Sequence, residues 1–199
     1  MTFSYEQHDV VASAGPTPSQ TVGPFFHYAL PYDAGPRLAG AGRAGAITLS
    51  GRVLDGEGAP IPDAMVEIWQ ADEQGQLESV GVHGEVGADG FRNFGRCETT
   101  ADGGYRFRTV KPGAVQTMDG VQQAPHVAMS VFARGLLRQV VTRVYFDDEP
   151  TANATDPLLA AVAPDRRATL TATGGDGGYR FDVRVQGVDE TVFLDVFAR

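Results

Sequence analysis

Asp-Gly pairs at 55–56, 89–90, 102–103, 119–120 and 176–177 cut the chain into short segments, and this punctuation limits the fold more than any other feature. Asp followed by Gly favours tight turns between antiparallel strands, because the glycine adopts a positive φ without steric cost. The segments between carry strand signals. ITLSGRVLD and AMVEIWQA are joined by the Gly/Pro connection GEGAPIPD, and GGYRFRTV alternates Tyr105 and Phe107 against Arg106 and Arg108. VAMSVFAR, RQVVTRVYF, ATLTAT, GYRFDVRVQ and TVFLD follow. Such alternation is the period of a half-buried strand. One segment reads as helix, DPLLAAVAP, with Asp156 at the N-cap, Pro157 at the first position and Pro164 as the stop. About eight short strands with Gly-rich turns predict an all-β fold, an antiparallel β-sandwich with one short helix. The hexapeptide DGGYRF occurs at 102–107 and again at 176–181, which reads as two hairpins sharing one turn-plus-strand solution.

Residues 1–46 are rich in Gly, Ala and Pro and lack sustained periodicity. TPSQTVGPFFHYALPY within them holds a cluster of aromatics that a free polar tail would not need. The expected division is therefore an N-terminal arm over 1–46 that docks on something, and a sandwich over 47–199.

A formal net charge of −9 argues against nucleic acid, whose binding rests on clustered Lys and Arg. The basic residues are nearly all arginine, with Lys111 the single lysine. One cysteine, Cys97, excludes an internal disulfide and every multi-cysteine metal motif, and reads as a small buried hydrophobe. The longest apolar run, LLAAVA, is too short to span a bilayer. MTFSYEQHDV lacks a basic region followed by an apolar core, so the expectation is a soluble cytoplasmic protein.

Hydrolytic chemistry finds no support: there is no G-x-S-x-G, and GAGRAG at 40–45 lacks the lysine of a phosphate loop. The acidic FDDE at 146–149 reads as a solvated turn, and Trp69 as a core anchor. His8, His27, His83 and His126 are the histidines, and no two have the spacing that places a pair on one strand or helix face. On the residues alone, His126 in APHVAMSVFARG is a structural strand histidine.

Taken together, TPSQTVGPFFH, VEIWQAD, FGRCETTADGGYRFRTVKPG, APHVAMSVFARG and TRVYFDDE resemble the intradiol ring-cleaving dioxygenases, in order and over nearly the whole chain. That resemblance implies oxidative cleavage of a catechol between its hydroxyls, using O₂ and a non-haem Fe(III) bound by two tyrosines and two histidines. Phenolates are hard anionic donors that suit the ferric ion. This chain departs from the pattern at three of four positions. Val115 stands where a tyrosine follows KPG, Ala128 replaces the second histidine of H-x-H, and residues 70–96 contain no tyrosine. Only His126 matches, so the expectation is no metal and no catalytic residue in this chain.

Some members of the family pair two homologous chains, one holding the iron and the other closing the substrate cavity. The resemblance is closest to the second, alpha-type chain. It implies a hetero-oligomer with an iron-bearing beta-type partner, protocatechuate and O₂ as substrates, and 3-carboxy-cis,cis-muconate as product. The cavity-lining residues carried over are Thr21, Gly23, Pro24 and Arg134. A fixed cation favours a substrate that carries a carboxylate. The alternatives are an inactive sandwich that serves only assembly, and a self-sufficient enzyme with relocated ligands among Tyr28, Tyr32, His27 and His83.

Overall fold

In a computed structural model, residues 18, 20–77 and 86–196 are described, so the expectations for His8, Thr17 and His83 lie outside the described residues. The elements run in chain order as α1 (Phe25–Ala29), β1 (Ala46–Leu54), β2 (Met65–Gln70), β3 (Phe94–Glu98) and β4 (Gly104–Val110). Then come a small hairpin of β5 (Val115–Gln116) and β6 (Gln122–Gln123), the long strands β7 (Val127–Phe132) and β8 (Val140–Phe146), and α2 (Pro150–Thr155) with α3 (Pro157–Ala161). A 3₁₀ segment (Pro164–Leu170) leads into β9 (Thr171–Gly175), β10 (Gly178–Arg180) and β11 (Val183–Arg184).

The chain is mostly β, as its alternating segments predict, but the sheet corrects the expected antiparallel sandwich. A single mixed sheet holds nine strands, with β3 and β4 at opposite ends of its hydrogen-bonded order and packed near one another. Three pairings are parallel: β1 with β10, β1 with β11, and β8 with β9. The physical reason is the connection after β8. It runs through α2, α3 and the 3₁₀ segment, and a crossover of that length returns the next strand parallel, which no hairpin turn can do. Two further short helices, α1 and α2, accompany the expected α3. Both are too short to carry a helical period.

TVFLD at the C-terminal end forms no strand; Leu194 instead donates its amide to Val141 O at 2.7 Å. Conversely β3, which the alternation did not announce, pairs with β2 from Met65 opposite Glu98 to Trp69 opposite Phe94.

The repeated hexapeptide flanks one strand. β4 pairs with β1 antiparallel and β10 pairs with it parallel, so Arg106 and Arg180 both stand opposite Ser50. Gly51 sits between the two copies, where an added Cβ would lie 1.7 Å from Phe181 O. Only glycine admits this approach. The Tyr105 hydroxyl then donates to Phe181 O at 2.5 Å across the strand.

The main core gathers Leu38, Leu49, Val53, Val66, Ile68, Phe107, Val131 and Phe146, with Cys97 among them. Burial pushes the Cys97 thiol up to about 11, so it behaves as the small hydrophobe expected. Leu38, from the segment before β1, is fully buried in this core. Trp69 corrects its expected place: it is 40% exposed, standing on the outer face of β2 against Phe94. The FDDE segment does turn, and it also clamps the only lysine. Lys111 Nζ lies 2.9 Å from Asp148 and 2.6 Å from Glu149, over the Phe146 ring.

A second, smaller core of Ala124, Tyr145, Leu159 and Leu170 holds the crossover against the sheet. Its centre is Asp156, fully buried. Its Oδ1 accepts from the amides of Leu158 at 2.9 Å and Leu159 at 3.0 Å, capping α3, and from the Tyr145 hydroxyl at 3.0 Å. Oδ2 accepts from the Ala124 amide at 2.9 Å. No helix among the described residues is long and apolar enough to cross a membrane. Asp156→Ala strands four donors, three of them buried, and is expected to lower the unfolding free energy by about 3 kcal/mol or more. Asp156→Asn, which keeps an acceptor oxygen, should lose less; denaturant unfolding of both variants measures it.

Candidate functional site

Two regions carry the residues singled out from sequence, and they lie on different parts of the sheet. The first is the row that would face a metal. Register places Phe94, Trp69, Ala128 and Arg143 side by side across β3, β2, β7 and β8. Directly opposed residues share a face, so Arg143 projects beside Ala128, on the face where the second histidine is missing. His126 lies two residues before Ala128 and is largely buried. Its Nδ1–H donates to Ala124 O at 2.8 Å. Burial, then the positive charge of Arg143, holds its pKa below the ordinary 6.5.

The donor set does not fit a ferric ion. One imidazole remains, a guanidinium faces it, and a fixed cation there repels a second. Tyr145, whose ring centroid is 5.8 Å from that of His126, does not compensate. Burial pushes its phenol up to about 12, and its proton is donated to Asp156. Among the described residues no group of three or more His, Cys, Asp or Glu is placed to hold a metal. Two residues of the relocated-ligand alternative make contacts of their own. His27 Nδ1–H donates to Ala64 O at 3.2 Å, and Tyr32 lies beneath the Arg92 guanidinium.

The second region is built by the arm. The turn Ala133–Leu136 after β7 closes through the Leu136 amide on Ala133 O at 3.2 Å, with Gly135 at φ +86 in its third position. That conformation favours glycine. The turn leaves the Gly135 amide pointing outward, and the Thr21 hydroxyl accepts from it at 3.0 Å. The same hydroxyl accepts from the Gly23 amide at 3.3 Å, with Gly23 at φ +59. Pro24, with no amide hydrogen to satisfy, then starts α1.

From α1, Phe26 packs on Phe132 at 5.6 Å between centroids, and His27 reaches the loop before β2. Thr21, Gly23, Pro24 and Arg134 are therefore drawn onto one surface. His83 lies outside the described residues.

Arg134 is 64% exposed, and its Nε lies 3.3 Å from Asp63 Oδ2. Sequence reading missed Asp63 and Arg143. Arg143 looks like any polar residue of an alternating strand until register sets it against Ala128. Asp63 sits in an irregular loop and carries no pattern.

The profile of a family described as Dioxygenase matches residues 22–187. The protocatechuate 3,4-dioxygenase alpha chain of Burkholderia cepacia is 44% identical over 197 residues, covering 90% of this chain and 97% of that one. The protocatechuate 3,4-dioxygenase beta chain of the same organism is 34% identical, covering 73% of this chain and 66% of that one. Among solved structures, the dioxygenase domain of a carbohydrate-binding fusion protein from Streptomyces sp. SirexAA-E is 27% identical with a TM-score of 0.58. It covers 87% of this chain and 100% of that one.

The depressed His126 pKa has a signed consequence. The unfolded chain takes up a proton below 6.5 that the folded imidazole refuses, so His126 contributes a loss of stability as pH falls through that value. Above it the contribution is flat. His126→Gln should reduce this acid sensitivity, measured as the pH dependence of thermal unfolding for the two proteins.

Proposed function

This chain belongs to the dioxygenase family of intradiol ring-cleaving enzymes, and from that premise we propose that it is the metal-free, alpha-type half of a protocatechuate-cleaving enzyme. The reaction adds both atoms of O₂ to 3,4-dihydroxybenzoate and opens the ring between its hydroxyls, giving 3-carboxy-cis,cis-muconate. The family's Fe(III) is assigned to a homologous beta-type partner, because the donor set around His126 suits no ferric ion. No catalytic residue is assigned here.

The observation that carries this reading is the hydrogen bond from the Gly135 amide to the Thr21 hydroxyl. It draws the arm and Arg134 onto one surface. Arg134 supplies a permanent positive charge for the substrate carboxylate. Thr21 holds the arm against the turn, Gly23 offers backbone that a ring can approach closely, and Pro24 stiffens the approach. Residues 1–46 are read as the arm that contributes to the partner interface and cavity, and 47–199 as the body. Phe25, Tyr28 and Leu137, exposed on the same two segments, supply apolar surface for the partner to cover.

Iron content and O₂ uptake with protocatechuate should be absent from the isolated chain and present when it is co-expressed with an iron-bearing beta chain. Activity in neither sample would instead favour a chain that serves only assembly. In the complex, Arg134→Ala should raise KM about tenfold, the value of one charge-assisted contact. Bound iron should stay unchanged.

A further inference from the structure

Asp63 is an unusual residue to find beneath this surface. Its side chain is 10% exposed, Oδ2 faces Arg134, and Oδ1 is buried with no hydrogen-bond partner. A buried carboxylate with half its capacity unused opposes folding, since it gives up hydration without full replacement. An ion pair to a mostly exposed arginine returns little of that cost. Stability therefore does not account for Asp63, whereas the geometry of Arg134 does.

The loop that carries Asp63 is held rigidly. The buried Thr99 hydroxyl donates to Ile61 O at 2.9 Å and accepts from the Ala64 amide at 3.0 Å, while the Thr99 amide donates to Ala64 O at 3.0 Å. His27 from α1 bonds that same Ala64 carbonyl. Asp63 is thus an anion fixed between strand and arm, one that touches the long, flexible Arg134 through Nε alone. The terminal guanidinium nitrogens have no partner among the described residues. They form the edge that presents two parallel donors to a carboxylate.

We propose that Asp63 is a positioning residue for the carboxylated substrate. It holds Arg134 by Nε so that the outer edge of the guanidinium faces the cavity. This rests on the assignment of Arg134 above. It also runs against simple electrostatics, by which a second carboxylate near the substrate's own weakens binding. The two effects on KM have opposite sign, so measurement separates them.

The test uses the iron-loaded alpha–beta complex. Asp63→Asn should raise KM for protocatechuate on the order of three- to tenfold, the range of a lost charge-assisted orientation. Bound iron and kcat should stay as in the parent, and so should the inhibition constant of unsubstituted catechol, which has no carboxylate. Asp63→Glu should recover part of the loss, and Asp63→Asn should add nothing in an Arg134→Ala background.

An unchanged or lowered KM in Asp63→Asn, with Arg134→Ala still impaired, would overturn the proposal and leave Arg134's assignment intact. Loss of the iron-loaded complex in both the Asn and Glu variants would make Asp63 a folding residue, and overturn it too. If Arg134→Ala itself leaves KM unchanged, the underlying assignment fails and Asp63 has nothing to position.

Discussion

The sheet depends on how Asp156 is satisfied. One buried carboxylate ties the start of α3, the strand β8 through Tyr145, and the residue two before His126 through the Ala124 amide. Charge-assisted bonds of this kind gain strength in a low-dielectric interior, and leaving any donor unpaired there is costly. Because the bonds hold the crossover against the sheet, β9 returns parallel to β8 and leads on to β10 and β11 on the flank of β1. The ends of the sheet then approach each other.

The same network sets the state of the face that carries His126 and Ala128. Tyr145 spends its proton on Asp156, and His126 spends its Nδ1 hydrogen on Ala124 O. The positive charge on that face belongs to Arg143, covalently part of the chain, and the imidazole beside it is held neutral. Val115 and Ala128 stand where the resemblance implies two of the ligands, and Arg143 pairs with Ala128 across the strands.

The arm docks at the other region, where Thr21 and Gly135 join it to the turn after β7. That bond is exposed and weak taken singly. It is supported by Phe26 on Phe132 and by His27 on Ala64, so the arm is docked by one polar contact before Pro24 and by one apolar and one polar contact after it. Arg134, next to Gly135 in that turn, pairs with the buried Asp63.

The amino-acid sequence by itself determined the strand content, the helix capped by Asp156, the burial of Cys97, the missing ligands at Val115 and Ala128, and, through its resemblance, the family. These are local properties: alternation, turn chemistry, capping and residue identity are all read over a few neighbours. It misplaced Trp69, missed β3, and turned a mixed sheet into an antiparallel one. Parallel pairing between β1 and β10, the register that sets Arg143 beside Ala128, and the meeting of Thr21, Asp63 and Arg134 were decided only by the tertiary structure. Each joins residues far apart in the chain, and the free energy that selects such a contact comes from burial and from satisfying polar groups once the whole sheet has formed, which no local pattern records.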